Sequence, residues 1–180
     1  MPQNSPENVA KLPPSRQSPA SSSGMELSSL ASNVMSAMAL ADTIRSTLGP
    51  RGLDKLLVDQ LGNRVITNDG YTVLVSLKTT NPVNRLLVEI SERQQFSVGD
   101  GTTSAVIMAA EMLREGYRII AEFKVHPTKL IGQIDEALGL SKDYLKNSSI
   151  QVGSFGDPLL RQVINTATAS KLDGRELSDL

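Results

Sequence analysis

The chain contains no cysteine, which excludes a disulfide framework, a cysteine-ligated zinc cluster and thiol catalysis together. Aromatic residues make up only 3%, so a core has to be assembled from aliphatic side chains. A net charge of −1 supplies no basic field for nucleic acid. No stretch approaches the roughly 18 apolar residues that a membrane span requires. The single histidine, His126, stands before a proline-started helix with nothing of metal-ligand spacing around it, so a structural or surface role is expected for it. These absences lead to the expectation of a soluble, cytoplasmic protein with neither nucleic-acid nor membrane partners.

What is present fits one domain, or one and part of a second, in 180 residues. Residues 1–24 are dense in Pro, Ser, Asn and Gln and lack the apolar centre of a secretory signal, so they are read as a disordered tail. From Met25 onward Leu27, Leu30, Val34, Ala37, Ala41, Ile44 and Leu48 recur at spacings of three and four, the stripe of an amphipathic helix. Met35, Met38 and Leu40 lie off it, which implies a second buried face. Gly49-Pro50 stops the helix.

Two short β-prone runs follow, Lys55–Asp59 and Arg64–Thr67, joined as a hairpin through Gln60–Asn63. Tyr71–Leu77 supports two readings: its Thr-Val-Leu-Val centre favours a strand, whereas Asp69-Gly70 could start a short helix. Asn81-Pro82 opens a helix with Val83, Leu86, Leu87 and Ile90 inward. The helix after Gly101 carries Val106, Ala109, Leu113, Tyr117, Ile120 and Phe123. The next, from Pro127 to about Lys146, carries Ile131, Ile134, Leu138 and Leu145. A shorter one carries Leu159, Leu160, Val163 and Ile164. The pattern is mainly α with a small β-hairpin, and a sheet that small needs further strands to be stable.

Chemistry concentrates in Ser97–Ser104, where Gly99-Asp100-Gly101-Thr102-Thr103-Ser104 runs into an apolar helix. Glycines let a ligand approach the backbone, the hydroxyls can bond it, and a helix start favours anions. A carboxylate at a phosphate site makes sense if Mg²⁺ bridges Asp100 to phosphate oxygens. The same residues also fit an ordinary helix start with an Asp cap. Leu48–Gly52 and Asn68-Asp69-Gly70 are further glycine-bearing breaks. A second acid beside glycine, Asp69, is what phosphoryl transfer needs if one carboxylate holds a metal and another orients water. Neither a P-loop nor a dinucleotide fingerprint occurs.

Four stretches in succession, Thr47–Lys55, Val65–Gly70, Val98–Ser104 and Val125–Thr128, closely resemble the signatures of chaperonins. Their wording is that of the group II type: the thermosome, its eukaryotic cytosolic relatives and their bacterial homologues. The resemblance spans about residues 26–175. It implies the N-terminal half of an ATP-binding equatorial domain over 25–148 and the start of an intermediate domain over 149–180. It further implies a subunit that folds non-native proteins in a double ring of chaperonin subunits, using ATP and Mg²⁺. Thr47, Leu48, Gly49 and Pro50 then correspond to the loop over the nucleotide. Gly70 accompanies Asp69, the carboxylate near the γ-phosphate and attacking water. Asp100 corresponds to the Mg²⁺ ligand and Gly101, Thr102, Thr103 and Ser104 to the phosphate cradle. Lys171, in Thr166–Lys171, corresponds to a lysine that senses the γ-phosphate.

Departures from the family pattern are Tyr71 in place of a small residue, expected to crowd its helix start, and Arg93-Gln94-Gln95, which lacks an acid. Arg51 stands where lysine is usual. The apical domain and the C-terminal equatorial half of such a subunit have no counterpart here. The rival expectation is a chaperonin-like interaction protein that no longer turns over ATP, against which the intact Asp69 and Asp100 count.

Overall fold

The computed structural model describes residues 19–154 and 156–168. The order is α1 (Pro19–Arg45), β1 (Lys55–Val58), β2 (Arg64–Thr67), α2 (Gly70–Ser76), α3 (Pro82–Ser97), α4 (Thr102–Phe123), α5 (Pro127–Ser148) and α6 (Pro158–Thr168). Mainly α with one two-stranded sheet is therefore the observed class. No helix among the described residues is long and apolar enough to cross a membrane. The first helix begins at Pro19, inside the stretch read as tail; proline at a helix's first position gives up no intrahelical bond. Residues 1–18 lie outside the described residues.

The core forms where α4 packs on α1 and α3, with α2 closing one side. It consists of Ala37, Leu40, Ala41 and Ile44 from α1, Val73 and Leu74 from α2, Leu87 from α3, and Val106, Ile107 and Ala110 from α4. Alanines at these crossings, with fully buried Ser91 on α3, allow close helix approach where aromatics are absent. Each fully buried Ile, Leu or Val contributes about 1.5–3 kcal/mol.

The second buried face expected of α1 exists, through Leu40 and the partly buried Met38, although Met35 faces outward. Leu48 falls beyond the helix end and is exposed. Tyr71–Leu77 resolves as helix: Asp69 caps it, and Val73 and Leu74 become buried on one face. The cap bonds decide a case in which propensity favoured strand.

Several inward faces read from periodicity are not covered. On α3, Leu87 and Ser91 point inward while Leu86 is 60% exposed and Ile90 is at the margin. On α4, burial stops after Ala110, leaving Leu113 and Phe123 exposed. On α5, only Leu130 is buried, and Ile131, Ile134, Leu138 and Leu145 are exposed; α6 buries nothing. Periodicity identifies a face that can be buried, whereas burial needs an opposing surface, which the described residues do not supply.

The hairpin pairs Lys55 with Thr67, Leu56 with Ile66, Leu57 with Val65 and Val58 with Arg64. Its turn is tied by Asp59, whose carboxylate accepts from the N–H groups of Leu61 (2.8 Å) and Asn63 (2.9 Å) and from Asn63 Nδ2 (2.7 Å). Asp59, read from the sequence as the last residue of the first strand, therefore belongs to the turn, one residue beyond the observed strand. His126 has the structural role expected of it: its Nδ1 accepts from Thr128 N–H at 3.3 Å and caps α5.

Candidate functional site

Four segments far apart in sequence meet at one end of the bundle around a cavity of about 660 Å³. Its walls are Thr47–Pro50, Asn68–Gly70, Asp100–Ser104 and, from α6, Asn165–Ala167. Every candidate site residue named from the sequence lines this cavity except Lys171, which lies outside the described residues. A larger cleft of about 710 Å³ runs between α2 and α3. It has no glycine loop, and the helix start beside it, at Pro82, is already capped by the Asn81 side chain, so it lacks the chemistry of the first.

The first wall is made by the chain leaving α1. Thr47 is buried, and its N–H and Oγ1 both donate to the Ile44 carbonyl, at 2.9 and 2.8 Å. Gly49 takes a left-handed φ of 88°, and a Cβ on Gly52 would collide with the Thr47 carbonyl, so this coil requires glycine. Just upstream, Arg45 reaches across to Glu111 on α4 (2.6 Å) while also bonding Asp42 (3.0 Å). The hydrogen bond from Arg45 to Glu111, then that to Asp42, raises its pKa further above the usual guanidinium value. The pair fixes the end of α1, and hence the loop, relative to α4.

The second wall begins at Asp69. Its Oδ2 accepts both Thr72 N–H (2.9 Å) and Thr72 Oγ1–H (2.7 Å), and its own N–H donates to Thr67 Oγ1 (3.1 Å). Both cap bonds fall on one oxygen, and Oδ1 makes no hydrogen bond among the described residues. Gly70 then passes so close to α4 that a Cβ would overlap Thr103 Oγ1 and lie 3.1 Å from Thr103 Cα. The starts of α2 and α4 are thereby pressed together. Tyr71 does not crowd this point. It turns edge-on to Phe96, with ring centroids 6.1 Å apart, and lines the neighbouring cleft.

The third wall is the start of α4. Its cap is Gly101, left-handed at φ 75°, and no side chain bonds the first-turn N–H groups. Asp100 does not cap the helix: its Oδ1 accepts only the adjacent Gly101 N–H, at 2.7 Å. The ordinary Asp-cap alternative is thus not realised, and a 22-residue helix presents its uncapped positive end to the cavity. Thr102 and Thr103 are nonetheless buried and held. Uncapped N–H groups, hydroxyls and an acid with an unengaged oxygen suit a phosphate with a divalent cation. No ready-made cluster of three metal-ligating side chains exists among the described residues, so phosphate and water would have to complete a metal's coordination.

Sequence reasoning assigned no site role to Asn165, Thr72 or Gln94, the last noted only within Arg93-Gln94-Gln95 for its lack of an acid. Thr72 carried a local signal, a hydroxyl three residues after a capping Asp. Gln94, whose Nε2 donates to the Asp100 carbonyl at 2.8 Å, carried none, because its partner is set by how the bend folds back. Asn165 enters through α6, which only the fold brings to the cavity.

The model described as the TCP-1/cpn60 chaperonin family matches residues 40–180. The T-complex protein 1 subunit alpha of Tetrahymena pyriformis is 43% identical over 145 residues, covering 80% of this chain and 26% of the relative. Thermosome subunit alpha of Methanothermobacter thermautotrophicus is 42% identical over 136 residues, covering 76% and 25%. T-complex protein 1 subunit beta of Caenorhabditis elegans is 39% identical over 146 residues, covering 78% and 27%. The chain spans about a quarter of the length of these curated relatives.

Proposed function

The chain belongs to the TCP-1/cpn60 chaperonin family, on the group II branch of thermosome and T-complex subunits, and from that premise we propose that it carries the Mg-ATP site of a chaperonin subunit. In this reading the subunit assembles with others into a double ring in the cytoplasm. ATP turnover there drives the enclosure and folding of non-native protein. The observation that carries the proposal is the convergence of Thr47–Pro50, Asp69, Asp100 and the uncapped start of α4 on one cavity.

Each residue has a distinct task. The first-turn N–H groups of α4 and the hydroxyls of Thr102, Thr103 and Ser104 bind phosphate oxygens. Asp100 contributes a carboxylate oxygen to the metal. Bound Mg²⁺ supplies neutralisation of phosphate charge and alignment of the transferred group. Thr47–Pro50 covers one side of the nucleotide and limits water access. Asp69, with Oδ2 fixed by Thr72, offers Oδ1 to accept a hydrogen bond from the attacking water and orient it. Lys171 is assigned to sensing the γ-phosphate.

Calorimetric titration of the full-length gene product with ATP tests the reading. Asp100→Ala is expected to weaken binding by an order of magnitude or more in Mg²⁺ and to leave binding in EDTA within about twofold. Equal losses in both solutions would remove the metal-bridging role. An absence of nucleotide binding to the unaltered protein would favour the rival, an interaction protein without ATP turnover.

A further inference from the structure

We propose that Gln94, in the last turn of α3, is a positioning residue that aims Asp100 into the site; this rests on the Mg-nucleotide reading above. Gln94 holds the bend between α3 and α4 at three points. Its carbonyl accepts from Val98 N–H (3.0 Å) and Gly99 N–H (3.2 Å), and its side-chain Nε2 donates to the Asp100 carbonyl (2.8 Å). The first two bonds are available to any residue at a helix end. The third needs a side-chain donor of this length.

The bend requires that third bond for a physical reason. Asp100 sits between Gly99 and Gly101, both left-handed at φ 80° and 75°. Only glycine takes those angles without strain, and glycine also has the most backbone freedom to lose. The residues that permit the bend therefore make it soft. With its carbonyl pinned by Gln94 and its Oδ1 held by Gly101 N–H at 2.7 Å, Asp100 keeps one orientation at the cavity wall. Oδ2 has no hydrogen-bond partner among the described residues and is left for a cation.

The start of α4 does not depend on Gln94. Thr102 and Thr103 are buried, and Thr103 is wedged against Gly70. Phosphate binding at the helix start and metal binding at Asp100 are thus supported by different contacts, and a change at Gln94 should affect only the second. A merely structural role would weaken both.

The test is calorimetric titration of the full-length gene product with ATP, in Mg²⁺ and in EDTA, with circular dichroism as a check on folding. Gln94→Met keeps the length and helix propensity of the side chain and removes the donor. It is expected to weaken binding about 10- to 100-fold in Mg²⁺, the usual effect of losing support for a metal ligand, and less than about twofold in EDTA. Gln94→Glu, which sets an acceptor against the Asp100 carbonyl, is a second variant expected to lose at least as much in Mg²⁺. Equal losses in the two solutions, or no loss in either, would overturn the proposal. Asp100→Asn run alongside separates the layers. If it removes the Mg²⁺ dependence while both Gln94 variants retain it, the positioning role alone fails. If it too leaves the dependence intact, the metal reading beneath the proposal fails with it.

Discussion

Asp69 caps α2 in this structure and is proposed to orient water in turnover, and substitutions can separate the two roles. As the cap of α2 it accepts both the N–H and the hydroxyl of Thr72 on Oδ2. As a proposed water-orienting base it uses Oδ1. Asp69→Ala removes both functions. Loss of a helix cap of this kind costs about 1 kcal/mol, within a range of about 0.5–2. Asp69→Asn keeps an amide oxygen where Oδ2 lies, so α2 retains its cap and stability should stay within about 0.5 kcal/mol of the parent. Turnover should respond differently. Removing a positioned base typically lowers kcat about 10²- to 10⁴-fold, and a loss confined to the transition state leaves nucleotide affinity nearly unchanged. The expected result is therefore two variants with the same low turnover, of which only the alanine variant is measurably destabilised. Denaturant midpoints, calorimetric ATP affinity and steady-state phosphate release on the full-length gene product give the three readings. Turnover near the parent's in the Asp69→Asn variant would show that the carboxylate serves only as a cap.

Two further outcomes follow from the contacts. Gly70→Ala would stabilise an unobstructed helix start by about 0.4–1 kcal/mol. Here the new Cβ meets Thr103, so a loss of about 1–3 kcal/mol is expected, with weaker ATP binding as α4 is displaced; a raised denaturant midpoint would contradict the close approach. Asp59 has its carboxyl pKa held below the usual 3.8, first by the Asn63 side-chain amide. A lowered folded value means that its contribution to the hairpin is full above the unfolded value and is lost as the pH falls through the folded one. The Asn63 side-chain amide resonances should therefore hold steady near neutral pH and shift toward free values only below pH 3.8; a transition above that pH would remove the bond's role.

Much of this was legible in the chain because the signals were local. Asn81-Pro82 starts α3 through bonds made within three residues, Asp69-Gly70 offered the start of α2 as one of two readings, and the four-residue strands match the β-prone runs to within a residue. The glycine breaks likewise marked the segments that line the cavity. What depended on distant neighbours was not legible. Leu86 and Leu87 are adjacent leucines, yet only Leu87 meets α4 and the core. α5 has an apolar stripe of its own at Ile131, Ile134, Leu138 and Leu145, but only Leu130 on that helix is buried. The requirement for glycine at position 70 lies in Thr103, 33 residues away, and nothing in Asp-Gly itself points to it.

The wall contributed by α6 has a thermodynamic consequence of its own. Asn165, Thr166 and Ala167 reach the cavity from a helix that buries no residue. A wall on so light an anchor is present for a fraction of the time set by its docking equilibrium. A ligand that needs it binds with an affinity reduced by that fraction, about tenfold for a helix docked one-tenth of the time. The converse follows from reciprocity: such a ligand drives α6 onto the bundle by the same factor by which docking strengthens its own binding. The other walls carry the glycine loops, the two carboxylates and the helix start, and α6 adds a wall whose docking is linked to the ligand's occupancy.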